Sequence, residues 1–180
     1  MKNKINISNF LKKVEKITAQ KELDLSSDED LSIGIMNLIS IEEHLFFTSQ
    51  KTKNEKYLDL INEIRSIRTE LMKKIITDYE GEIWCVSKHL LAASMRIMEV
   101  GTKELKKGNK KQAWDLFDKS FKLYSLFWGL NLDLITTKEV NKNNYQKISF
   151  INETSNKQKT ASVFSKLSVL MQKAVNCCKE

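Results

Sequence analysis

The chain has no proline and only five glycines in 180 residues. Proline breaks the helical hydrogen-bond ladder, and glycine adds backbone entropy that a helix must suppress. Their scarcity favours long helices. Cysteine is also sparse. Cys85, Cys177 and Cys178 form no CxxC motif, which excludes a disulfide framework, and the adjacent pair is too close for an unstrained bridge to itself. All three are expected as free thiols in a reducing compartment. No apolar run approaches the ~20 residues a membrane span needs, and the lysine-bearing start MKNKINISNF is not followed by the apolar core of a signal peptide. A cytoplasmic protein without a membrane span is the expectation. No Gly-rich phosphate loop occurs, and no Glu-x-x-His pair of the di-iron bundles is present.

Arginine is the last scarcity: three arginines stand against 27 lysines in a chain of net charge +7. Lysine is a diffuse, strongly hydrated cation that lacks the planar fork used to read bases. Such a surface predicts at most weak, salt-sensitive attraction to nucleic acid or another polyanion.

What remains is an ordinary globular balance, 41% hydrophobic and 29% charged, in a length suited to one domain. Apolar residues recur at helical spacing through most of it. Ile7, Phe10, Leu11, Val14 and Ile17 predict a helix over about 5–22. Leu31, Ile35, Leu38, Leu45 and Phe46 predict a second over about 28–50, behind the acidic cluster SSDED. Tyr57, Ile61, Ile64, Leu71 and Ile75 mark a third. The run EIWCVSKHLLAASMRIMEV is apolar around most of its circumference, as a central bundle helix is. A fifth carries Ala113, Leu116, Phe117, Ser120, Leu123, Tyr124, Phe127, Trp128 and Leu134. About 136–159 loses the period and reads as a polar linker; about 160–178 reads as an amphipathic C-terminal helix with Leu167, Leu170 and Ala174 on one face, which either closes the bundle or docks on a partner. The fold class is therefore all-α: one domain, an antiparallel up-and-down bundle of five or six helices with its core over about 28–135.

The stretch VGTKELKKGNKKQAWDLFDKSF, Val100 to Phe121, resembles a tetratricopeptide helix hairpin. Gly101, Gly108, Ala113, Phe117 and Ser120 carry the likeness, with small residues where two helices approach and a glycine at the turn. Glu104 stands where an aromatic belongs, and no second copy follows. The resemblance implies a tight helix pair and, for the family, peptide binding. The Arg-then-His pattern of small all-helical RNases and toxins is not met, because His89 precedes Arg96.

Three constellations merit a structural test. Glu42 lies on the apolar stripe of the second predicted helix, where an unpaired carboxylate is costly. Folding helices two and three back to back brings Arg65 or Arg68 to its depth, which predicts a structural ion pair. Cys85 and His89, four apart on one helix face with Glu82 on the flank, are the nearest thing to a metal pair; zinc is the metal they would take. The alternative for them is a buried thiol beside a hydrogen-bonded histidine, and no resident cofactor is expected. Lys103, Lys106, Lys107, Lys110 and Lys111 surround the turn near Gly108, as an anion or nucleic-acid patch or as charges complementing a helix C-terminus. Trp114 is expected to pack within the hairpin. The functional expectation is a non-enzymatic scaffold or interaction domain, binding a protein partner or a second copy through the aromatic fifth helix and the C-terminal helix.

Overall fold

The computed structural model describes residues 26–76, 81–134 and 167–172. The predicted first helix, the linker, Cys177 and Cys178 and most of the predicted last helix lie outside these. The described residues are all-α with no strand: α1 (Ser26–Thr52), α2 (Lys56–Ile75), α3 (Glu82–Lys106), α4 (Lys110–Asn131) and a helical turn, α5, over 167–172.

Local chemistry sets the boundaries. Asp28 and Glu29 occupy the first turn of α1 and Lys51 its last, each opposing the charge at that end of the helix dipole. The α1–α2 turn uses Lys53 at φ 55°, and the Asn54 Oδ1 accepts the Lys56 N–H at 3.0 Å. Gly81 precedes α3 at φ 90°. At the other end of α3, Gly108 at φ 85° lets the chain close a six-residue loop. Its N–H donates to the Leu105 carbonyl at 3.0 Å, and the Asn109 N–H donates to the Glu104 carbonyl at 3.0 Å. The fifth predicted helix is one turn shorter than its apolar pattern. It ends at Asn131, and Leu134 returns to the interior after Asp133 takes φ 55°.

The helices pack mainly as two antiparallel hairpins, α1 on α2 and α3 on α4, joined along α1 and α3. The α3–α4 seam is built from small residues seven apart: Ser87, Ser94 and Gly101 on one helix, Ala113 and Ser120 on the other. A seven-residue spacing keeps the same stripe facing the partner helix. Ser94 Oγ donates to the Ser120 carbonyl at 3.0 Å, and Ser120 Oγ returns the bond to the Ser94 carbonyl at 2.7 Å. Asn131 Nδ2 donates to Ser87 Oγ at 3.0 Å. At Gly101 a Cβ would stand 2.6 Å from the Phe117 ring, so any larger residue must displace that ring.

The core sits toward one end. Its buried residues are Ile35 and Met36 of α1, Met72 and Ile75 of α2 with Ile76 after it, Leu90 and Leu91 of α3, Tyr124, Phe127, Trp128 and Leu130 of α4, and Met171 of α5. Each contributes about 1.5–3 kcal/mol of burial. The other end, formed by the C-terminal half of α1 and the N-terminal half of α2, carries no buried hydrophobic side chain.

Two expectations change here, and the C-terminal helix takes the first of its two alternatives. Phe46, placed by its spacing on the buried stripe, is 50% exposed, because that stripe runs past the end of the core. Tyr124, Phe127 and Trp128 do not form a docking face; they are the interior of the bundle. Leu167, Leu170 and Met171 are likewise buried, so the described part of the C-terminal helix helps to close the bundle.

Candidate functional site

Glu42 lies one helical step from the core end of α1 and faces α2. Arg68 Nε donates to its Oε1 at 2.5 Å, and Arg65 Nε to its Oε2 at 3.3 Å. Arg68 is buried, and its Nη1 also lies 3.2 Å from the Met72 sulfur, while the Arg65 side chain is 61% exposed. The carboxylate therefore has one dry partner and one wet one. The two bonds tie α1 to α2 at this depth, the arrangement expected of an ion pair that fixes helix register.

The opposite side of α1 does open. Ser40, Glu43, His44, Phe47, Thr48 and Lys51 face Arg96 and Glu99 of α3 across a groove of about 520 Å³. Arg96 bridges the two walls. Its Nε and Nη2 donate to Glu43 Oε2, the former at 2.9 Å, and its Nη1 donates to Glu99 Oε2 at 2.6 Å. The Glu43 bond is the main reason its guanidinium is held above its ordinary pKa. His44 is on this side and Glu42 on the other, as their two-residue separation on a helix requires. Phe47, on the groove rim, is 60% exposed and meets Phe46 edge-on at 5.2 Å between ring centres.

Among the described residues the Cys/His pair gathers no further ligand. Cys85, His89 and Glu82 are all exposed on α3, which corrects the expectation of a buried thiol. Among the described residues no three His, Cys, Asp or Glu side chains converge as a metal would require.

The lysines around the α3–α4 turn are all exposed. Glu104, the residue at odds with the tetratricopeptide pattern, is the pin of that turn. It accepts Asn109 Nδ2 and Lys107 Nζ, both at 2.7 Å. The Asn109 bond foremost, then Lys107, holds its carboxyl below the usual range. Trp114 is 76% exposed and does not pack within the hairpin; Ala113 and Phe117 occupy the seam instead.

Sequence reasoning missed one buried polar link. Ser32 Oγ and the Tyr124 hydroxyl share a hydrogen bond at 2.8 Å, joining α1 to α4 inside the core. Ser32 Oγ also donates to the Glu29 carbonyl at 2.7 Å, so Tyr124 is the donor of the shared bond. The available signal was Ser32 itself, three residues before Ile35 on the same stripe. Burial raises the Tyr124 pKa above its ordinary 10.0, and the Glu29 and Asp30 charges add to the rise; a Ser32 hydroxyl turned toward the phenolate and the Trp128 N–H oppose it. That indole N–H is buried and meets no acceptor at full hydrogen-bonding geometry. A raised value means that the folded protein holds this proton more tightly than the unfolded chain. The associated stability is complete below about pH 10 and is lost as pH climbs through the raised value. The melting temperature should therefore fall more steeply above about pH 10 in the native protein than in Tyr124→Phe. Parallel alkaline profiles would remove this role.

No described helix is long and apolar enough to cross a membrane. No protein-family model, curated protein or solved structure matches the chain.

Proposed function

We propose that the chain is a cytoplasmic, non-enzymatic interaction module that binds a protein partner from the open end of its bundle. The observation that supports this most is the groove between α1 and α3, rimmed by Phe47 at 60% exposure with Phe46 beside it at 50%. Exposed aromatics cost free energy in water, and side chains of this kind anchor interfaces. The flanking Glu43, Arg96 and Glu99 supply a polar rim of both signs around that anchor. Met98 and Leu105 in the C-terminal half of α3 are also exposed. The partial tetratricopeptide likeness of Val100 to Phe121 is in keeping with peptide binding.

The rings have little to do with folding, so Phe46→Asp with Phe47→Asp should leave the melting temperature within a few degrees. The same variant should lose a partner captured by the native protein, or lose a dimer seen by sizing with light scattering. A strict monomer that recovers no partner under both tests would overturn the reading.

A further inference from the structure

The lysines around the α3–α4 turn divide into two groups. Lys103 and Lys106 lie in the last turn of α3, with Lys107 at its cap, where cations complement the helix dipole. Lys107 is also bound to Glu104. That explanation fails for Lys110 and Lys111. They open α4, whose first turn contains no acid, so the dipole opposes them. Trp114 follows one turn later on the same side, three and four residues on, at a spacing of about 5–6 Å between Cβ atoms. At 76% it is the most exposed large apolar side chain described. The acids nearby are already engaged: Asp115 with Lys119 and Asp118 with Lys122, each at 2.5 Å. Folding stability accounts for neither the two lysines nor the open indole.

We propose that Lys110, Lys111 and Trp114 bind single-stranded nucleic acid, with the lysines on backbone phosphates and one base stacked on the indole. A duplex keeps its bases stacked among themselves and leaves the indole nothing to cover. An acidic peptide would use the lysines but not the aromatic plane. With lysine rather than arginine at the site, binding should have little sequence preference. This surface is separate from the groove, so it stands or falls independently of the partner reading.

The test is fluorescence anisotropy with labelled oligo(dT) and oligo(U) of about a dozen nucleotides, a length within the usual site sizes, over a range of salt. Native protein should bind with an affinity that falls with salt. K110Q/K111Q should reduce the slope of log affinity against log salt by about 1.4, at roughly 0.7 per phosphate contact on a single strand. W114A should weaken binding roughly tenfold without moving that slope, and W114F should recover most of it. K53Q/K56Q removes the same charge at the α1–α2 turn and should change the slope little. Equal losses from the two lysine pairs would mean diffuse attraction to net charge and would overturn the site. So would indifference to W114A, equal affinity for duplex, or full competition by a polyglutamate peptide. All these side chains are exposed, so unchanged thermal melts are expected throughout. A native protein whose affinity ignores salt also refutes the proposal before any variant is made.

Discussion

Phe127→Ala should cost about 3–5 kcal/mol in urea unfolding, with an unchanged denaturant slope. Phe127 is fully buried. It stacks near Tyr124 at 6.4 Å and meets Trp128 edge-on at 5.0 Å between ring centres. The cluster around it draws Ile35 from α1, Met72 from α2, Leu91 from α3 and Met171 from α5. No single element can shift to fill the space without disturbing four others, so the cavity stays open and the upper part of the range applies. A domain of ordinary stability, about 5–15 kcal/mol, would lose a third of it or more. Phe127→Leu keeps most of the volume and should cost less than half as much. Equal losses for the two would show that ring geometry, and not filled volume, sets the value.

The second large effect concerns the carboxylate between the hairpin helices. Removing Glu42 strands Arg68, and removing Arg68 leaves Glu42 only the exposed Arg65; breaking a buried pair in this way costs about 3–5 kcal/mol. The Glu42 side chain keeps 14% exposure, so water rescues part of the charge and the lower end of that range is expected for Arg68→Ala. Arg65→Ala should cost less than about 1 kcal/mol, because that side chain is 61% exposed and its pairing is screened. Replacing both members, as Glu42→Leu with Arg68→Met, should regain most of the stability, since the interior then holds no stranded charge. Chemical denaturation of the three variants decides the matter. A double variant as weak as Arg68→Ala alone would mean that the pair is a net source of stability and more than a register device.

The sequence carried the helices because they are dictated locally. Apolar spacing, the acidic start of α1 and the glycine at the α3–α4 turn each act within a few residues, and so all four long helices lie where the periodicity puts them. Glu42 and its arginines were legible for a related reason: a hairpin with a short turn ties depth on one helix to depth on the next. Exposure was not legible in the same way. Phe46 and Ile35 share a stripe, yet one is half-exposed and the other fully buried, because the stripe does not say where along its length the neighbouring hairpin stops covering it. Trp114 shows the same limit beside Ala113, which lies one residue away at 1% exposure. The groove and the Ser32–Tyr124 link depend on how α1 meets α3 and α4, an arrangement between elements far apart in the chain that no local pattern encodes. Cys85 and His89 share a face as their spacing requires, but a second face must supply further ligands, and none among the described residues does.

The seating of Met171 of α5 among the other helices has a bearing on how this protein is made. Translation delivers α1 to α4 first, and domains begin to organise as they emerge from the ribosome. Until residue 171 has left the exit tunnel, the nascent bundle lacks Met171 and holds an apolar cleft where it belongs. The growing polypeptide must keep that cleft from foreign contacts until the stretch carrying Met171 has been made, which supplies the plug and ends the exposure.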